Sequence, residues 1–163
     1  MYLRKAGVPA SPDELSGHRC ATVRLASGPA QTWRFIRAGG RRFEFTPQAA
    51  LTTSDPETLV DLALAGAGIV QAGLHHALPH LRSGRLKLLL PGLHDAGRRE
   101  IVVHYPHRQY LGPRVRVVVD GLLGQFGAAK DLHLTVADVL TDLPDCVATP
   151  VGVKAKVMSR RRR

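Results

Sequence analysis

The chain has 163 residues, 44% of them apolar, with 23 lysines and arginines against 13 carboxylates for a formal charge of +10. That is enough apolar material for one ordinary domain with a core, or two small lobes, and it excludes collagen-like and disordered classes. The longest apolar runs, such as Leu88 to Leu90 and Val117 to Val119, fall far short of the ~20 residues of a membrane span, so no membrane association is expected. The opening Met1-Tyr2-Leu3-Arg4-Lys5 has no signal-peptide core, which makes a cytoplasmic location the expectation.

In chain order, Ser11-Pro12-Asp13-Glu14 reads as a capped helix start, and Gly17 ends the helix almost at once. Arg19 to Leu25 alternates, with Ala21, Val23 and Leu25 on one face, as a strand does. Trp33 and Phe35 share parity with Phe43 and Phe45 across Ala38-Gly39-Gly40-Arg41, which predicts a hairpin with its aromatics stacked on one face. An extended piece near Ala49 to Thr52 leads into Thr53-Ser54-Asp55-Pro56-Glu57, a second capping box with Ser54 as the cap. Leu59, Leu62, Ala63 and Ala67 form the apolar stripe of the helix that follows, Gly66 and Gly68 close it, and a strand over 69–72 comes next.

A short helix is expected over His75 to Leu81, stopped by Ser83 and Gly84. Strands are expected at Leu86 to Leu90, ending at Pro91, and at Ile101 to Tyr105 before Pro106. Gly112-Pro113 opens a last strong helix in which Val115, Val118, Val119, Leu122 and Phe126 recur at three- and four-residue steps until Gly127. Beyond it, Thr135 to Leu143 suits a short helix, and a basic block follows at Lys154, Lys156 and Arg160 to Arg163. Strands alternating with helices of this length imply an α/β protein with a mostly parallel sheet, whose ligand sites lie at strand ends and helix starts.

The chemistry-bearing patterns are few. Ala65-Gly66-Ala67-Gly68 follows a helix and precedes a strand, the reverse of the order in which a glycine loop cradles a dinucleotide phosphate. His75, His76 and His80 have no accompanying Glu or Cys of a metallohydrolase motif, and Cys20 and Cys146 have no paired spacing, so no metal site, disulfide or cofactor is expected. No nucleophile elbow, phosphate loop or paired acid and base is legible, so the expectation is a protein that is not an enzyme. The helix start at Ser54 offers amides and a positive dipole end to an anion, while Asp55 beside it competes for the same amides. Sequence leaves those two readings level. The basic tail allows an alternative, a small nucleic-acid-associated module, and the apolar face on Val115, Val118, Leu122 and Phe126 allows a protein-association module.

The order of residues also resembles a known family. Tyr2-Leu3-Arg4-Lys5-Ala6-Gly7 followed by Pro12-Asp13-Glu14-Leu15-Ser16-Gly17-His18-Arg19-Cys20 is similar to the mid-domain stretch of LysR-type transcriptional regulators. Trp33-Arg34-Phe35, Ser54-Asp55, Leu64 to Ile69, Pro79 to Leu86, Tyr105-Pro106 and Leu111 to Arg116 continue the match in family order over about residues 2 to 126. The resemblance implies a partial type II periplasmic-binding-protein-like fold. In it, 18–102 form one complete lobe, 1–17 and 103–127 are crossovers and a remnant of the other lobe, and 128–163 are an unassigned extension. The winged helix-turn-helix of the family has no counterpart in these residues, so an effector-sensing, non-enzymatic fragment without direct operator binding is expected.

Carried over position by position, the effector-facing residues would be Thr53, Ser54 and Asp55 at the helix start and Gln71, Ala72 and Gly73 after the next strand, with Ser27 and Gly28 as further candidates. The partners implied are a small-molecule effector and either a second copy or a full-length regulator.

Overall fold

A computed structural model describes residues 2–24, 28–37, 39–48, 50–95, 97, 101–105 and 112–150. Helix α1 (Tyr2–Ala6) leads to a 3-10 turn (Pro12–Gly17) and strand β1 (Cys20–Val23). Strands β2 (Trp33–Ile36), β3 (Arg42–Phe45) and β4 (Leu51–Thr53) follow, then α2 (Thr58–Leu64), β5 (Ile69–Val70) and α3 (Leu74–Arg82). Three further helices, α4 (Pro113–Ala128), α5 (Lys130–His133) and α6 (Val136–Asp142), complete the described elements with a 3-10 turn (Pro144–Cys146).

The expected α/β architecture with a parallel sheet is present, but the strands gather into two sheets rather than one. β4, β1 and β5 pair in that order, all parallel, and β2 pairs with β3 as a separate antiparallel hairpin. β1 lies in the middle, and its four residues are buried on both faces. Cys20 turns toward Trp33, Phe35, Leu15 and Ile69, whereas Ala21 and Val23 turn toward Leu59 of α2. The hairpin therefore covers one face of the sheet and α2 the other. Its predicted parity holds, and the register sets Trp33 opposite Phe45 and Phe35 opposite Phe43. The Trp33 and Phe45 rings lie 5.8 Å apart, while Phe35 meets the edge of His94.

The start of β1 is pinned by Tyr2. Its hydroxyl accepts the Arg19 N–H at 2.8 Å and shares a hydrogen bond with His18 Nδ1 at 3.1 Å, and the Arg19 guanidinium lies over the ring. Both motifs at the N-terminal end of the matched stretch thus meet in one contact. Ser11 does not cap the first turn; instead Glu14 reaches back to accept the Ala10 N–H at 2.9 Å and the Ser11 hydroxyl.

Two predicted strands are absent. Leu86 to Leu90 forms one isolated parallel bridge and no ladder: Leu88 donates to the Cys146 carbonyl (2.7 Å) and accepts the Ala148 N–H (3.0 Å), and the run is broken at Leu90, which enters the left-handed region at φ 50°. Ile101 to Tyr105 has no strand neighbour among the described residues, and Ile101 and Val102 are exposed. Apolarity alone suggested both strands, but a strand also needs a partner edge. Leu25 and Ala49, expected to extend β1 and β4, and the basic tail beyond residue 150 lie outside the described residues.

The predicted helix over 135–143 is α6, capped by Thr135, whose hydroxyl oxygen accepts the Asp138 N–H while the Asp138 carboxylate accepts the Thr135 N–H. Val139 of α6 and Cys146 pack with Leu78 and Leu81 of α3 into a second core, and Arg82 of α3 forms a two-pronged ion pair with Asp131 of α5. The extension is thus built onto α3. The last strong helix is α4, running one residue past Gly127, and its apolar side is largely exposed: among Val115, Val118, Val119, Leu122 and Phe126 only Val119 is buried.

Candidate functional site

The parallel register fixes where the candidate residues fall. Val23 pairs with Thr53 and Ala21 with Val70, so β1, β4 and β5 end at the same side of the sheet. The loops that leave this edge carry Gly28 after β1, Ser54 and Asp55 after β4, and Gln71, Ala72 and Gly73 after β5. Crevices outside the carboxyl ends of parallel strands are where open α/β sheets bind ligands, since loops diverge there and leave polar groups facing a gap. Ser27 lies outside the described residues.

At the β4 loop the capping differs from expectation. α2 starts at Thr58, and Ser54 is not its cap. Asp55 takes that work: one carboxylate oxygen accepts the Glu57 N–H at 3.0 Å, the other accepts the Thr58 N–H at 3.2 Å and the Thr58 hydroxyl at 2.7 Å. The Thr58 hydroxyl, together with those amides, holds the Asp55 carboxyl below the usual aspartate range. Sequence placed the charge correctly but gave the capping to the wrong neighbour. The two amides that an anion would have used are occupied by this chain's own carboxylate, while the exposed Ser54 hydroxyl has no hydrogen-bond partner among the described residues. Thr53 accepts the Asp55 N–H at 3.1 Å and tightens the same turn.

At the β5 loop the structure brings in two residues that sequence reasoning missed. The Gln31 backbone N–H donates to the Val23 carbonyl at 3.1 Å, and its side-chain amide donates to Gln71 Oε1 at 2.8 Å. The Gln71 amide in turn hydrogen-bonds His94 Nε2. Gln31 therefore straps the ends of β1 and β5 together, and His94 arrives from the segment after Pro91. Neither sits in a motif. Only the three-dimensional approach of residues 31, 71 and 94 reveals the chain of hydrogen bonds.

Gly73 precedes α3, where the rings of His75 and His76 lie 4.0 Å apart. Burial, followed by the neighbouring His76, pushes the His75 imidazole below its ordinary value, and His76 stands 3.9 Å from Glu57. No cluster of three or more metal-ligating side chains occurs among the described residues.

A cavity of about 560 Å³ opens along β5 and is lined by residues 68–72 on one side and 84–91 on the other, with Trp33, Phe35 and Leu15 among its apolar walls. Of the expected site residues, Gln71 and Ala72 line it; Gly28, Thr53, Ser54, Asp55 and Gly73 do not. The candidates thus divide into a group around Ser54 at the carboxyl edge of the sheet and a pair, Gln71 and Ala72, that leaves the same edge and also lines the cavity.

Residues 2–127 match the LysR substrate binding domain. The chain belongs to this family. It is 30% identical over 125 residues to the HTH-type transcriptional activator AaeR of Escherichia coli K12, covering 77% of this chain and 40% of that protein. It also shares 30% identity over 111 residues with YagP, a LysR family substrate binding domain-containing protein of E. coli K12, covering 63% of this chain and 75% of YagP. Among solved structures, the regulatory domain of CrgA, a LysR-type transcriptional regulator from Neisseria meningitidis, superposes with a TM-score of 0.60 at 29% identity, covering 76% of this chain and 59% of that one. The chain thus spans about 40% of the length of AaeR. The structural likeness identifies the periplasmic-binding-protein-like fold of LysR regulatory domains, and family membership supports an effector-binding role in transcription regulation. No helix among the described residues is long and apolar enough to cross a membrane.

Proposed function

We propose that this chain is the effector-sensing part of a LysR-type regulator, cytoplasmic and non-enzymatic, with residues 18–102 acting as one lobe and Thr53, Ser54, Asp55, Gln71, Ala72 and Gly73 facing a small-molecule effector. Gly28 borders the same edge, and Ser27, which precedes it in the sequence, is carried in the proposal as a candidate. The observation that carries this reading is the convergence of the β4 and β5 loops at one end of a three-stranded parallel sheet. Ser54 offers an exposed hydroxyl, and Gln71 presents an amide at the junction of β1 and β5. Asp55 occupies the nearest amides itself, which favours an effector bearing an amine or hydroxyl opposite that carboxylate over an anion seated on the turn.

Thermal denaturation of the full chain with small amines, polyols and carboxylates, each at about 1 mM, tests the reading. The expected result is stabilisation by one hydroxyl- or amine-bearing class, lost in Ser54→Ala and weakened in Gln71→Leu. Stabilisation that survives both substitutions would remove the site from the crevice. The exposed apolar side of α4 supports a second element of the proposal, association with another copy or with a longer regulator. Sedimentation showing only monomer at tens of micromolar would overturn self-association, an order-of-magnitude concentration set by mass action.

A further inference from the structure

We infer that the cavity along β5 is a second ligand site, bordering the Ser54 crevice at Gln71 and Ala72, which takes an apolar molecule carrying a carboxylate. β5 is the outermost strand of its sheet, and the segment across from it, 84–91, is held away by the bonds that tie Leu88 to Cys146 and Ala148. A slot of about 560 Å³ is left, within the range of sites that hold small organic ligands. Its walls include the side chains of Leu15, Trp33, Phe35 and Ile69, all buried. Such a surface is poorly solvated and gains from contact with a hydrocarbon or ring, as apolar cavities do.

The charged residues on the lining set the sign of the ligand. Arg4, Arg85 and Lys87 line the cavity, and among the described residues no Asp or Glu does. All three are exposed, so they stand toward the mouth rather than the floor. Lys87 spends one donor on the Asp145 carbonyl at 2.6 Å, and an ammonium has three. Arg85 hydrogen-bonds Ser83 and His80, neither of which neutralises it with a carboxylate. Inside, Gln71 and His94 supply polar atoms at the end nearest the sheet edge. An apolar floor beneath a cationic rim complements an amphipathic anion and opposes an amphipathic cation.

Trp33 is the only tryptophan of the chain and forms part of the wall, so its emission reports occupancy directly. Titration of the full chain with octanoate, octanamide and octylamine at low ionic strength separates the contributions. Octanoate is expected to shift Trp33 emission saturably, octanamide to bind about tenfold more weakly for want of charge-assisted hydrogen bonds, and octylamine more weakly still. Arg4→Gln with Arg85→Gln and Lys87→Gln brings octanoate to the octanamide level and leaves octanamide unchanged. Ala77→Leu, which fills the cavity from α3, removes both responses, while Ser54→Ala removes neither. No saturable response, octylamine binding as well as octanoate, or octanoate insensitive to the rim substitutions overturns the inference. Loss of octanoate binding in Ser54→Ala also overturns it, by assigning the ligand to the crevice. The crevice reading stands or falls separately on its own panel.

Discussion

Gly68 and Arg19 approach so closely that a Cβ on Gly68 would lie 2.3 Å from the Arg19 carbonyl oxygen. The same oxygen accepts the Ile69 N–H at 2.8 Å, so this contact begins the β1–β5 pairing. A side chain cannot be relieved there by rotating a rotamer, since the obstacle is backbone. Gly68→Ala is therefore expected to cost about 2 kcal/mol, at the level of core overpacking. Urea denaturation gives the value, and a variant as stable as the parent would show that β5 shifts freely.

Asp55 ties the stability of the β4–α2 turn to pH. Its carboxyl titrates below the ordinary aspartate value because the Thr58 hydroxyl and the Glu57 and Thr58 amides bond its charged form. A depressed folded-state pKa contributes stability that is complete above about pH 4 and is lost as pH falls through the lower folded value. Asp55→Asn should flatten the fall of melting temperature below about pH 4 and leave a residual slope from Asp131 and Asp138, whose carboxyls are lowered in the same direction by Arg82 and Thr135. An unchanged acid limb in the Asn variant would mean that the turn opens before it titrates.

What the sequence disclosed followed from periodicity and local chemistry. The Trp33, Phe35, Phe43 and Phe45 parity and the short helices over 75–81 and 135–143 are decided within a few residues, and each is found within a residue or two of its expected bounds. The failures are non-local. Leu86 to Leu90 has the composition of a strand, but whether it becomes one depends on Cys146 and Ala148, nearly sixty residues away. The Ser54 turn offered several competing oxygens, and only geometry shows Asp55 winning because its two carboxylate oxygens satisfy both amides. The Gln31, Gln71 and His94 chain has no sequence signature because three separate loops compose it.

Leu78 and Val139 are each 1% exposed and belong to one cluster, although α3 lies within the family match and α6 outside it. The extension should therefore share the stability of α3. Leu78→Ala is expected to cost about 3 kcal/mol, and a double-mutant cycle with Val139→Ala should return a coupling of about 1 kcal/mol. Additive effects would mean that α6 packs on α3 without sharing its stability.

The two thiols report on the two cores. Cys20 sits under the hairpin, where burial pushes its pKa up to about 11; burial also raises Cys146, with Lys87 acting in the opposite direction. Thiolate is the reactive form, so neither should label quickly with an aromatic disulfide reagent near pH 8, and both should label once the chain unfolds. Their order under partial denaturation is the sharper test. Cys20 lies in the central strand of the sheet, whereas Cys146 is covered by α3, α6 and a single bridge at Leu88. Among the described residues the second core is joined by one β-bridge where the sheet core has two ladders, which places it at the lower end of local opening energies. Mass-resolved labelling across a urea series should therefore capture Cys146 before Cys20. If Cys20 labels first, the hairpin lifts from the sheet more easily than the extension leaves α3, and the hierarchy of the two cores is reversed.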